Sequence, residues 1–110
     1  MTVAVPTTQG GVSAHFGHCE QFMLFDISDG QVAGSRSLTP PPHEPGVLPR
    51  WLHEQGAHVI ITGGMGQRAR QLFDHYGITT VVGISSGSPD EVIQEYLKGT
   101  LESGGNLCDH

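Results

Sequence analysis

The chain predicts one α/β domain, and three observations predict it. Short β-branched or aromatic runs at 2–5, 21–28, 58–62 and 78–84 alternate with stretches of helical apolar period at 47–56, 67–76 and 88–99. Asp29-Gly30 separates the run 21–28 from a weaker one at 31–38, which is a two-residue hairpin signal. A length of 110 residues suffices for one hydrophobic core and not for two. The resulting order is β-β-β-α-β-α-β-α, with one antiparallel hairpin strand beside a parallel set joined by right-handed crossovers. A single domain over 1–110 follows, with 99–110 as a mobile tail.

The elements follow from local chemistry. Residues 2–5 form a strand stopped by Pro6, and 7–17 is a Gly/Ser/Thr stretch without period. The run QFMLFDIS at 21–28 reads as a buried strand. Its hairpin partner 31–38 has only Val32 and Leu38 as large apolar residues, so it is expected at a sheet edge. Four prolines at 39–45 exclude regular structure there. Val47, Leu48, Trp51 and Leu52 then share a helical face, with Gly56 at the C-terminal cap. The strand 58–62 leads through Gly63-Gly64-Met65-Gly66 into a helix at 67–76 with Ala69, Leu72, Phe73 and Tyr76 inward. After the strand 78–84, Ser88-Pro89-Asp90-Glu91 combines an N-cap, a proline at the first helical position and acids in the first turn.

Composition excludes several function classes. The formal net charge is −6, from 11 acidic and five basic residues, and the five basic ones are scattered. Nucleic acid is not an expected partner, because phosphate binding needs clustered cations. No run reaches the length of a membrane span, and the N-terminus lacks the basic and apolar regions of a secretory signal. A cytoplasmic protein with reduced thiols is the expectation.

Against that background, seven His and two Cys stand out. His15, His18 and Cys19 fall within five residues after the first strand, His43 lies in the Pro-rich loop, and Cys108 and His110 end the chain. Thiolate and imidazole hold zinc, copper and metal–sulfur centres. In open α/β sheets, ligands bind beyond the C-terminal ends of the strands, where strand order reverses. With the first strand central, loops 7–19 and 63–66 face one crevice there, and the Pro-rich loop reaches the same end. The six candidate metal ligands are therefore His15, His18, Cys19, His43, Cys108 and His110. Cys19 equally suits a small buried residue opening the strand. Gly63, Gly64, Met65 and Gly66 lie between a strand and a helix N-terminus, where backbone N–H groups can approach an anion. An anionic cluster, a phosphate or a plain tight turn would all fit GGMG, which matches neither a Walker loop nor GxGxxG. Met65 suits packing better than thioether ligation, and Arg68 is placed to neutralise an anion. His53, His58 and His75 read as surface or capping residues, and Trp51 as core-facing.

The residues VAVPT at 3–7, SAHFGHCEQFMLFDI at 13–27, HEPGVLPRWL at 43–52, VIITGGMGQRARQLF at 59–73, GITTVVG at 77–83, YLKGTL at 96–101 and the final C-x-H resemble the dinitrogenase iron–molybdenum cofactor biosynthesis family, the small NifB/NifX-type domain. The resemblance implies a ribonuclease-H-like three-layer α/β/α fold, whose five-stranded mixed sheet has its second strand antiparallel. It also implies a NifX-like domain that binds an iron–molybdenum, molybdenum–copper or iron–sulfur cluster and serves cofactor biosynthesis in nitrogen fixation. The radical chemistry of larger relatives does not transfer, because the chain has no CxxxCxxC motif.

The expectation is thus a binding module and not an enzyme: a carrier for a metal–sulfur cluster in cofactor assembly or metal handling. Soft side chains would capture the cluster, GGMG amides would hydrogen-bond it, and the tail would act as a lid. The competing enzyme reading is metal-dependent phosphoryl hydrolysis on a ribonuclease-H-like fold. It is disfavoured because hard carboxylate ligands are scarce in the predicted crevice. A regulatory domain that senses cluster status and docks an ATPase or cofactor-assembly partner is a third reading. The edge strand at 31–38 would permit a homodimer.

Overall fold

The computed structural model describes residues 1–14, 16, 19–42, 46–84, 87–99 and 101. Its elements are β1 (Thr2–Thr8), β2 (Gly11–Val12), β3 (Gln21–Ser28), β4 (Gln31–Leu38), α1 (Val47–Glu54), β5 (Val59–Ile61), α2 (Gln67–His75), β6 (Thr79–Val81) and α3 (Pro89–Lys98). One mixed sheet runs β4-β3-β1-β5-β6, with β2 attached to β1. β1 is antiparallel to β3 and parallel to β5, β5 is parallel to β6, and β3 and β4 form the antiparallel hairpin.

The two-residue period of the strands divides the core into two clusters. Ala4 of β1, Phe22 and Leu24 of β3 and Ile60 of β5 face one side, where they meet Leu48 and Leu52 of α1 and Phe73 of α2. Val3, Val5, Phe25, Val59 and Ile61 face the other side and meet Val92 and Ile93 of α3. The molecule is therefore α1 and α2, the sheet, and α3, in three layers. β1 and β5 are buried on both faces, which explains their unbroken apolar runs.

Several element boundaries differ from the sequence expectation. β1 does not stop at Pro6 but continues to Thr8, with Pro6 opposite Phe22 of β3. The ladder with β5 involves Val3 and Ala4 only, so beyond it the proline ring displaces no strand hydrogen bond, and the Pro6 carbonyl accepts from Ser13 N–H at 2.9 Å. The stretch expected to lack period holds the stub β2, reached through Gln9 and Gly10, both at positive φ (55° and 82°). This is the same two-residue turn geometry that Asp29 and Gly30 adopt (54° and 74°), formed without the Asn-Gly or Asp-Gly signal. β6 covers only three of the residues at 78–84. β4 occupies the sheet edge as expected. Gly99 caps α3 in the left-handed region, and Leu101 packs against the α3-side cluster.

β4, β5 and β6 run parallel, and each leads into a helix at its C-terminal end. All three helix N-termini therefore lie at one edge of the sheet. No helix among the described residues is long and apolar enough to cross a membrane.

Candidate functional site

At that edge the loop after β1 and the loop after β5 are joined directly. Gly63 N–H donates to Ser13 O at 3.0 Å, and Phe16 N–H donates to Gly64 O at 2.8 Å. Gly63 O accepts from Gly83 N–H at 2.8 Å, and the buried Thr62 hydroxyl donates to Ser13 O at 3.4 Å. A Cβ on Gly63 would lie 2.7 Å from both the Cα and the O of Ala14. Gly63 is glycine because two backbones touch there, and its N–H is committed to the neighbouring loop.

The remaining residues of the GGMG turn divide by exposure. Gly64 is buried, and Met65 is 1% exposed within the α1/α2-side cluster. Gly66 and Arg68 face solvent at the start of α2, and Arg70 is half-buried one turn on. Cys19 is half-buried and packs against the same cluster, which also contains Phe16, Phe22 and Phe73. Cys19 thus lies on the α1/α2 face. His15, His18, His43, Cys108 and His110 lie outside the described residues. Among the described residues, no three His, Cys, Asp or Glu side chains gather to hold a metal ion. His53 and His75 sit in the last turns of α1 and α2 against the Tyr76 ring, and the His58 Nδ1 accepts from Thr2 N–H at 3.0 Å. These three histidines are at the opposite edge of the sheet, as expected for surface and capping residues.

Burial pushes the Cys19 thiol up from 9.0 to about 11, against a smaller opposing effect of a backbone hydrogen bond. The group is therefore a neutral thiol at physiological pH, and ligation of a metal there releases a proton. Since the folded-state value exceeds the unfolded one, folded Cys19 holds its proton where the unfolded chain has lost it. Stability is expected to fall as pH rises from about 9 to about 11. Chemical denaturation of the Cys108→Ser protein across that range, compared with the same protein carrying Cys19→Ser, measures the contribution. An equal slope in both proteins refutes it.

The three helix N-termini at this edge are not equivalent. α3 is capped by Ser88, whose hydroxyl accepts from Glu91 N–H at 3.2 Å, and it carries Asp90 and Glu91 in its first turn. α1 and α2 begin at Gly46 and Gly66, with no side-chain cap and no acidic residue in the first turn. α2 places Arg68 there instead. Both uncapped termini belong to the face that carries Cys19. Sequence inspection identifies the Ser88 cap and Arg68, but which helices share a face with Cys19 is a tertiary fact. A cleft of about 590 Å³ on the α3 face, lined among others by Thr7, Glu20, Ser37 and Asp90, has no local sequence signal at all.

Together these features define a small three-layer α/β module, with two helix N-termini without side-chain caps on the face of Cys19 and a joined pair of loops at the same end of the sheet. The chain belongs to the dinitrogenase iron–molybdenum cofactor family, whose model matches residues 1–99. It is 31% identical over 107 residues to an uncharacterized protein of Methanocaldococcus jannaschii, with 93% of this chain and 90% of that one covered. It is also 31% identical to the protein PH0822, whose crystal structure superimposes with a TM-score of 0.91 over 100% of both chains. The apo form of the orange protein from Desulfovibrio gigas shares the fold at a TM-score of 0.80 and 21% identity, over 96% of this chain and 93% of that one.

Proposed function

We propose that the protein is a cytoplasmic carrier for an iron–molybdenum or related metal–sulfur cluster, used in cofactor assembly or metal handling. The observation that carries this reading is the asymmetry of the sheet edge. α3 neutralises its own N-terminus, whereas α1 and α2 leave theirs open on the side of Cys19. Unsatisfied N–H groups and the positive end of a helix dipole favour an anion. Arg68 in the first turn of α2 runs against the dipole, and an anionic cargo offsets that cost. A half-buried thiol on the same face supplies a soft donor once deprotonated. The family match and the layering support the ribonuclease-H-like cluster-binding fold that the resemblance implies.

In this reading Cys19, together with His15, His18, His43, Cys108 and His110, holds the cluster, and Gly66 and Arg68 face its charge. Protein purified without oxygen and assayed for metal and acid-labile sulfide is expected to contain iron, molybdenum or copper together with sulfide. Zinc without sulfide would contradict it. A more local check is Gly66→Asp, at a position with extended backbone (φ −67°, ψ 158°) and open space around a Cβ. The carboxylate caps α2 and stabilises the empty protein by about 1 kcal/mol. The same charge repels an anionic cargo and lowers metal and sulfide retained per chain. A variant that gains stability and retains the full cargo argues against an anion at this terminus.

A further inference from the structure

We infer that the cleft on the α3 face is a second binding site, separate from the proposed cluster site, for a small organic cation carrying an ammonium or guanidinium group. The cleft follows from the layering. Five strands spaced about 4.8 Å apart span about 19 Å, whereas one helix is about 10 Å across. α1 and α2 share one face of the sheet, but α3 is the one described helix on the other, where it packs on β1. The β3–β4 half of that face is left without a helix. Rungs of paired residues cross the strands there: Val3, Phe25 and Ser35, then Val5, Met23 and Ser37, then Thr7 and Gln21. Towards the edge with the helix N-termini the rungs turn polar, and the core gives way to a cleft of about 590 Å³. Small-molecule sites occupy about 300–1,000 Å³. Thr7 and Pro89 are buried and Met23 is half-buried, which makes them its floor.

Hydrogen bonding within the cleft selects the chemistry it accepts. The Thr7 hydroxyl donates to Gln21 O at 3.2 Å, and the Ser37 hydroxyl donates to Gln21 Oε1. A hydroxyl has one proton, so both have only lone pairs left to offer. Glu20 and Asp90 add carboxylates from two separate elements, the residue before β3 and the first turn of α3. Glu20 Oε1 accepts from Gln9 N–H at 2.7 Å, which holds the side chain in place and leaves its second oxygen. Among the described residues no Lys or Arg lines the cleft, so no cation of its own wall offsets these charges. The positive end of α3 does not make this an anion site. Its dipole, equivalent to about half a charge, is outweighed by Asp90 and Glu91 in the first turn. Surplus acceptors and negative charge suit a donor-rich cation. A metal ion fits less well, since among the described residues no three His, Cys, Asp or Glu gather to hold one.

The test titrates the full-length protein with agmatine, which carries an ammonium and a guanidinium, and follows backbone amide chemical shifts by NMR. Succinate, glycerol and calcium chloride are the anionic, neutral and metal controls, all in about 0.15 M salt to screen exposed charges. Agmatine is expected to shift the amides of Gln21, Met23, Ser37 and Asp90 and to saturate with a Kd of about 1 mM or tighter. The paired variant Glu20→Gln with Asp90→Asn is expected to weaken it at least about tenfold, the scale of lost charge-assisted hydrogen bonds. Both positions are exposed, and Gln at 20 keeps an oxygen for Gln9 N–H, so the fold is retained. Glu54→Gln with Asp74→Asn removes the same charge from the exposed last turns of α1 and α2 and should leave the affinity unchanged. Agmatine shifts that do not saturate, or that lie elsewhere, overturn the assignment. So does equal binding of succinate, glycerol or calcium at these amides, or an equal loss of affinity in the two paired variants. Metal and sulfide content does not enter the readout, so this site and the carrier reading stand or fall separately.

Discussion

Gly63→Ala is expected to lower stability by about 2–3 kcal/mol, the usual scale of overpacking a tight site. The added Cβ meets the Ala14 Cα and O at 2.7 Å, and both are backbone atoms that no rotamer change can move. Relief requires the two loops to separate, which strains Gly63 N–H to Ser13 O and Phe16 N–H to Gly64 O. The melting temperature should fall on the order of 10 °C. The damage should concentrate at the site, so under the proposed carrier function the variant is expected to retain less metal and sulfide even where it remains folded. Gly34, with nothing within 4 Å of its would-be Cβ, is the control, and Gly34→Ala should change neither property appreciably. Thermal melts of the two variants decide the matter, and equal midpoints would show that the loops are not in contact.

Phe22→Ala is expected to cost more, about 3–5 kcal/mol. Phe22 is fully buried in β3, and its ring lies 6.0 Å from Phe16 and 5.7 Å from Trp51 of α1. It therefore joins the sheet to the site loop and to α1 at once. Against a typical total of about 5–15 kcal/mol for a domain, such a loss leaves little. Urea titration followed by Trp51 fluorescence measures it directly, since Trp51 is the single tryptophan and packs on the deleted ring. A loss below about 1 kcal/mol, the scale of ordinary surface changes, would mean that the cluster is not packed as described.

Much of the architecture was legible before any coordinates. The Asp29-Gly30 hairpin, the three amphipathic helices, the Ser88 cap and the edge position of β4 rest on local rules of turn chemistry, period and capping, which act over a few residues. The misjudged boundaries have a common cause. Pro6 stops a strand only where its nitrogen faces a partner, and whether β5 reaches that far depends on a strand more than fifty residues on. The β2 stub is held by pairing with β1 and by Val12 N–H to Gly87 O, neither of which Gln9-Gly10 announces.

The candidate site was legible as a list and not as an arrangement. GGMG after a strand was recognised as a place for close backbone approach, but an anion and a second loop call for the same glycines. The contact with Ala14 shows that Gly63 serves the second loop. Met65 reads as soft donor or core residue until its burial at 1% exposure assigns it to the core.

Residue chemistry alone therefore determined the element types, the layer-forming apolar faces, the absence of a cationic surface and the inventory of soft donors. These depend on side-chain identity and short-range periodicity. The pairing of the Ser13 and Gly63 loops, the placement of Cys19 on the face with two uncapped helices and the burial of Phe16 between Phe22 and Phe73 were decided by tertiary structure. They are contacts between segments distant in the chain, and their energy exists only once the sheet has brought those segments together.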